Sequence, residues 1–250
     1  MSQTVLITGA TSGFGEATAA KFAQAGYKVI ITGRRQERLD AFKARFPKSD
    51  ILALCFDVSD KKAVFDAIAA LPEAYKSIDI LVNNAGLALG LGRAPEADLD
   101  DWETMVDTNI KGLLYVTRAV LPGMVERKSG YIFNLGSIAG NWPYEGGNVY
   151  GATKAFVKQF SLNLRTDLRG TNVRVTNLEP GFSETEFSDV RFKGDKEKAN
   201  QVYKGTKALD KEDIAHTIFT LSQLPAHVDV TRIEIMPTMQ TCNGLFVERH

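Results

Sequence analysis

The chain has 250 residues, 44% hydrophobic and 24% charged, the mix of a globular domain, which excludes disordered, collagenous and coiled-coil classes. Thirty basic residues balance 30 acidic ones, and this zero net charge speaks against nucleic acid or an anionic membrane as partner. Cys55 and Cys242 make no disulfide framework, and His216, His227 and His250 lack metal-ligand spacing with them, so a reducing cytoplasm and no metal are expected. Residues 1–10 hold neither a basic n-region nor an apolar run long enough for a signal or a membrane span, which fits a cytoplasmic location.

The first strand is predicted at 5–7 and runs straight into Thr8-Gly9-Ala10-Thr11-Ser12-Gly13-Phe14-Gly15 and a helix over 15–25. Glycines let a backbone turn tightly and approach a pyrophosphate, and the helix N-terminus offers free N–H groups and the positive end of a dipole. Gly9, Thr11, Ser12, Gly13, Phe14 and Gly15 are therefore candidate cofactor residues. The second strand, 29–31, ends at Gly33-Arg34-Arg35. A dinucleotide site needs a ribose reader here, and a carboxylate would favour NAD. Two guanidiniums stand in its place, which match a phosphate in shape and charge, so NADP(H) is predicted with its 2′-phosphate on Arg34 and Arg35.

A helix over 37–46 leads to a third strand at 51–54, after which Asp57 and Val58 are placed at the adenine. Then come a helix over 61–71, a strand at 80–82, a long helix over 102–127 and a strand at 131–135 that ends two residues before Ser137. The helix over 149–168 opens with Tyr150 and Lys154, which a four-residue spacing puts on one helix face. A sixth strand spans 173–178, a helix 211–223 and a last strand 233–236, with Asp60, Asp100 and Asp210 as expected N-caps. Most of the strands are rich in Val, Ile and Leu without polar alternation, the pattern of burial on both faces, and they alternate with helices. One doubly wound α/β domain over 1–250 with a seven-stranded parallel sheet follows. Two segments break the rhythm: 182–209, long and charged like a substrate lid, and the tail 237–250, either frayed or docked on a neighbouring subunit.

Composition alone makes a Tyr-x-x-x-Lys pair ordinary, and a second one, Tyr203/Lys207, lies in the charged segment without a serine placed, like Ser137, 13 residues earlier at a strand end. Tyr150/Lys154 is the pair at the carboxyl side of the sheet, where doubly wound folds bind ligands. Free tyrosine titrates near ~10, and a neighbouring ammonium favours the phenolate. Tyr150 is thus the candidate acid/base, Lys154 the group that lowers its pKa and bonds the nicotinamide ribose, and Ser137 the holder of the substrate oxygen.

Taken in order, Thr8-Gly9-x-x-x-Gly13-x-Gly15, Asn83-Asn84-Ala85-Gly86, Asn109, Ser137, Tyr150-x-x-x-Lys154 and Pro180-Gly181 resemble the short-chain dehydrogenase/reductase family over nearly the whole chain. The resemblance implies a Rossmann-like sheet and a catalytic set of Asn109, Ser137, Tyr150 and Lys154, with Asn109 supporting a water relay from Lys154. It also implies that Asn83, Ala85 and Gly86 border the cofactor ribose, and that Pro180, Gly181, Ser183 and Thr185 cover the nicotinamide and phosphates. Dimers and tetramers are common in the family, and a homotetramer is expected.

Longer strings, among them Asn84-Ala-Gly-Leu-Ala-Leu-Gly90, Trp142-Pro-Tyr144 and Arg191-Phe-Lys-Gly-Asp195, are similar to the bacterial NADP-dependent 3-hydroxy acid dehydrogenases. Glu184-Thr-Glu-Phe187 is shared with the related sulfoacetaldehyde reductases. Both resemblances imply a small anionic substrate, a hydroxy acid or a sulfonate. Arg191 and Lys193 are the candidate cations for it, and Tyr144 and Trp142 candidate pocket walls. A cofactor-binding regulatory protein without turnover is the competing class, and the intact set of four argues against it.

Overall fold

The computed structural model describes residues 2–195, 197 and 203–242. Seven strands form one sheet: β1 Thr4–Ile7, β2 Lys28–Gly33, β3 Ile51–Cys55, β4 Ile78–Asn83, β5 Gly130–Leu135, β6 Val173–Pro180 and β7 Arg232–Ile235. Every neighbouring pair is parallel, in the order β3-β2-β1-β4-β5-β6-β7. The apolar runs follow from this. Along β1, Val5 and Ile7 belong to the core on one face and Leu6 to the core on the other, because successive side chains alternate. β1 and β2 are covered on both faces and show no polar alternation, whereas the edge strand β7, Arg232-Ile-Glu-Ile235, alternates.

The covering helices are α1 Gly13–Gln24, α2 Gln36–Arg45, α3 Lys61–Ala69, α4 Leu99–Val106, α5 Leu113–Arg127, α6 Asn148–Asp167, α7 Phe187–Arg191 and α8 Lys211–Ser222. Phe22 of α1, Leu39 of α2 and Ile214 and Ile218 of α8 fill one core. Val64 of α3, Val116 and Met124 of α5 and Leu164 of α6 fill the other. Asp60 accepts from the Ala63 N–H at 3.0 Å, and Asp210 accepts from Glu212 and Asp213 in a capping box.

The predicted helix over 102–127 differs in two ways. It starts at Leu99, and Asp98 rather than Asp100 is its cap, because Asp98 is the residue with extended backbone whose carboxylate reaches the Asp100 N–H at 3.0 Å. Its middle, Asp107–Gly112, is a π-turn between α4 and α5. Such a widened turn leaves a main-chain acceptor out of the ladder and is enriched at functional sites.

The chain leaves β1 toward β2 and β3 and returns to β4 on the other side of β1. This reversal opens a crevice beyond the carboxyl ends of β1 and β4. Across it comes the excursion after β6. Its two ends are tied by a bridge between Ser183 and Leu209, with Leu209 N donating to Phe182 O at 3.0 Å and Glu184 N to Leu209 O at 2.8 Å. Of the tail, residues 237–242 dock on the same chain: the Gln240 side chain accepts from Phe182 N at 2.7 Å. Residues 243–250, and 196 and 198–202 of the excursion, lie outside the described residues. Among the described residues no helix is long and apolar enough to cross a membrane, and no group of three His, Cys, Asp or Glu side chains could hold a metal.

Candidate active site

A cleft of about 670 Å³ runs along the carboxyl edge of the sheet. At one end lies the glycine turn. Gly9 has φ +65°, and a Cβ there would sit 2.9 Å from the Ala85 Cα, so the close passage of turn against β4 loop needs glycine. Gly15 plays a different part from the one expected. It does not line the cleft; a Cβ on it would strike the Gly9 carbonyl and the Asn84 amide at 2.4 Å each. Gly15 lets α1 pack, while Gly9, Thr11, Ser12, Gly13 and Phe14 face the cavity.

Arg34 and Arg35 line the same end. Arg35 donates to the Thr11 and Ser12 hydroxyls at 2.8 and 3.3 Å, and burial and the nearby Arg38 guanidinium lower its pKa. Arg38, which sequence reading passed over, binds Glu186 from the excursion at 2.8 Å and the Thr11 carbonyl at 3.3 Å. Asp57 pairs with Arg34 at 3.5 Å. Burial raises the Asp57 pKa, but bonds from Ser59 and the Arg34 charge outweigh it and hold the carboxyl below the usual range. With Val58 it lines the cleft, so both stand where an adenosine end would lie. Two guanidiniums on the cleft wall, Arg34 and Arg35, beside a glycine turn are a donor set that fits a phosphorylated dinucleotide.

Asn83 is not at the cleft. It is buried, and its amide donates to Thr117 and Asn134 at 2.9 Å each, stitching β4 to α5 and β5. Period-two alternation gives the wall to its neighbour: Asn84 lines the cleft and donates to the Thr8 and Gly9 carbonyls at 2.9 and 3.1 Å. Ala85 and Gly86 line it as expected.

The other end gathers Ser137, Tyr144, Tyr150, Lys154 and Arg191. Ser137 stands at the end of β5, where it caps the turn Ile138–Gly140 by accepting from Ala139 N at 3.1 Å. A Cβ on Gly140 would lie 2.7 Å from Ala155 N, so this turn rests directly on α6 and fixes Ser137 relative to Tyr150. Tyr150 is buried, its ring 5.5 Å from that of Phe187. Lys154 Nζ lies 5.8 Å from the Tyr150 ring centre and donates to the Leu135 carbonyl at 2.8 Å.

Here the electrostatics run against the sequence-based expectation. Burial, helped by Tyr144, pushes Tyr150 up to about 12 despite a hydrogen bond from Ser137 and the charge of Arg191. Burial also brings Lys154 down to about 8. In the protein alone burial thus favours the neutral form of both groups. Asn109 is buried and off the cleft wall. Its side chain accepts from Leu87 N at 2.8 Å and donates to Leu87 O and Thr153 Oγ1 at 2.8 and 3.1 Å. These bonds tie the π-turn to the Leu87 backbone and to α6.

Arg191, at the end of α7, bonds the Tyr144 hydroxyl and faces the Gly90 carbonyl at 3.4 Å, while its own carbonyl accepts from Gly90 N at 3.0 Å. Its guanidinium carbon is 5.6 Å from the Tyr150 ring centre. Lys193 is not part of this site: it pairs with Asp101 at 2.9 Å and Asp98 at 3.7 Å. Trp142 does not line the cleft either, while Tyr144 does. Pro180, Gly181, Ser183 and Thr185 line the roof. Tyr203 serves the roof as well, donating to Ser183 O at 3.0 Å and bonding the Ser188 hydroxyl, so the second Tyr-x-x-x-Lys pair is a tie within the excursion. Gln240, from the tail, completes the wall behind Gly181. Nothing local in the sequence marks it, since its partner Phe182 is 58 residues away.

A doubly wound sheet, a glycine turn with arginines at the β2 end, and a Ser-Tyr-Lys group across the cleft define a class of nucleotide-dependent oxidoreductase. The short chain dehydrogenase family model matches residues 3–196, and the chain belongs to that family. It is 58% identical over 246 residues to the NADP-dependent 3-hydroxy acid dehydrogenase YdfG of Escherichia coli (strain K12), covering 98% of this chain and 99% of that one. It is 53% identical over 249 residues to the serine 3-dehydrogenase of Rhizobium radiobacter, covering 100% and 99%. Among solved structures, the closed form of serine dehydrogenase complexed with NADP+ matches with TM-score 0.95 at 57% identity, over 99% of this chain and 100% of that one.

Proposed function

We propose that this NADP-dependent oxidoreductase interconverts short 3-hydroxy acids, of the serine, allo-threonine and 3-hydroxypropionate type, with their 3-oxo acids or semialdehydes. The observation that carries the reading is the position of Arg191. A guanidinium held over the acid/base candidate, beside Ser137 and at the opposite end of the cleft from the arginine cluster, suits a substrate whose acid group and carbinol are a few atoms apart. The names of the similar dehydrogenases support the same class.

NADP(H), when bound, supplies or accepts the hydride. Arg34 and Arg35 hold its 2′-phosphate, Gly9 to Phe14 its pyrophosphate, Ala85 and Gly86 its ribose, and Pro180 to Thr185 the roof over the nicotinamide. The protein's own residues handle the proton and the orientation. Ser137 donates to the substrate oxygen and fixes it beside Tyr150. In oxidation the carbinol O–H bond breaks, its proton passes to the Tyr150 phenolate, and the oxygen becomes a carbonyl. In reduction the same phenol returns that proton. Lys154, with a pKa near 8, exchanges the proton onward. Arg191 and Tyr144 hold the acid group, and the excursion over the cleft excludes water.

The test is the rate of NADP+ reduction across L-serine, D-threonine, L-allo-threonine, 3-hydroxypropionate and isethionate. Oxidation of the hydroxy acids is expected. Turnover confined to isethionate would move the protein to sulfoacetaldehyde/isethionate chemistry, since a guanidinium receives a sulfonate equally well. No turnover of any acid would return it to the class of non-catalytic cofactor binders.

A further inference from the structure

We propose that Arg191 has a second task beyond holding the acid group: its guanidinium stabilises the Tyr150 phenolate, so that the acid/base group ionises under a cation delivered by the excursion after β6. This rests on the reading of Tyr150 as acid/base.

The geometry makes Arg191 a fixed charge and not a loose loop side chain. Its guanidinium carbon lies 5.3 Å from the Tyr144 ring centre and 5.6 Å from that of Tyr150. The Tyr144 hydroxyl bonds it on one side, and the Gly90 main chain meets both its Nε and its backbone on the other. The groups that face Tyr150 are Ser137 from the β5 end, Tyr144 from the loop that follows, Lys154 from its own helix and Arg191 from α7. Carboxylates on the same cleft wall are engaged elsewhere: Glu145 by Arg93 and Glu186 by Arg38.

Lys154 and Arg191 stand at similar distances from the Tyr150 ring, 5.8 and 5.6 Å, but differ as cations. Burial brings Lys154 down to about 8, so its positive charge is lost on the alkaline side of that value. A guanidinium stays charged at every working pH. The Arg191 charge works toward the phenolate against burial. At such a distance in partly screened surroundings, one charge is worth about one to two pH units.

The experiment separates this task from substrate anchoring by using an uncharged substrate. The pH dependence of kcat/KM for NADP+-dependent oxidation of 1,3-propanediol, which matches 3-hydroxypropionate in length but carries no acid, is measured for the wild type, Arg191→Gln and Arg191→Lys. NADPH binding by fluorescence checks that each variant is folded. In oxidation the phenolate is the active form, so activity falls on the acid side. Arg191→Gln should move that acid limb up by about one pH unit or more, and Arg191→Lys should leave it near the wild type. A limb unmoved in Arg191→Gln, or moved as far in Arg191→Lys, would overturn the proposal. Tyr150→Phe run alongside tells the two readings apart: if it keeps turnover and the limb, Tyr150 is not the acid/base and the underlying reading falls first.

Discussion

Single side chains set what this site binds and how it is held, and four of them make three separable predictions. Arg34 and Arg35 sit where sequence reading put them, at the β2 end beside the glycine turn. Replacing both with Ala should raise the KM for NADP+ by about 10- to 100-fold, the size of one or two charge-assisted bonds, and leave the KM for NAD+ nearly unchanged. Equal losses with both cofactors, in steady-state kinetics, would take the 2′-phosphate away from these arginines. Arg191→Ala should raise the KM for L-serine by about 30-fold or more through loss of a paired guanidinium contact. An unchanged KM would remove Arg191 from the substrate site. Lys154 gives a prediction of stability. Its folded pKa, about 8, lies below the ordinary 10.5, so burial of its charge is a cost fully present below pH 8 and relieved as pH climbs toward 10.5. Against Lys154→Met, urea denaturation should show the wild type gaining on the order of 2–3 kcal/mol between pH 7 and 10. A flat difference would mean that the lysine is not buried charged. At this scale the residue types were readable and their facing was not. Asn83 and Asn84 are chemically identical, and only strand phase gives the cleft to Asn84. Lys193 reads as a free cation until Asp98 and Asp101, nearly a hundred residues earlier, take it up.

Elements place those side chains by close backbone contact. The turn Ile138–Gly140 carries Ser137 and lies on α6, which carries Tyr150 and Lys154. At Gly140 even one methyl would meet the backbone of Lys154 and Ala155 at 2.7 Å. Gly140→Ala should therefore destabilise by about 1–3 kcal/mol and lower kcat by parting Ser137 from Tyr150, with NADPH affinity little changed. Unaltered kcat would show that the Ser137–Tyr150 distance is not set there. Most strands were legible because the inner ones are buried on both faces and rich in Val, Ile and Leu. The π-turn within 99–127 was not, since a widened turn needs no special residue type and arises where helix register must shift. Nor was Asp98 as a cap, because the segment offers Asp98, Asp100 and Asp101 in close succession. The ties that hold the roof, Gln240 to Phe182 and Tyr203 to Ser183, join parts far apart in sequence, where periodicity carries no information.

For the molecule as a whole, zero net charge conceals guanidiniums placed at two points of one cleft: Arg34 and Arg35 at the glycine turn, and Arg191 over Tyr150. A ligand that spans the first should stabilise the whole sheet, since it binds only the folded chain. NADPH at a hundred times its Kd should add about 2.7 kcal/mol, a rise in Tm of about 5–10 °C by thermal shift, and NADH at the same concentration far less. Equal shifts would contradict the cofactor assignment. The central claim is that these two ends bring a nicotinamide cofactor and an acid substrate together at one phenol. Its most direct test is single-turnover oxidation of L-serine by the NADP+-loaded Tyr150→Phe variant, with NADPH binding measured on the same preparation. NADPH affinity within a few-fold of the wild type and a hydride-transfer rate reduced by about 10²- to 10⁴-fold are expected. A rate near that of the wild type would show that the proton goes elsewhere.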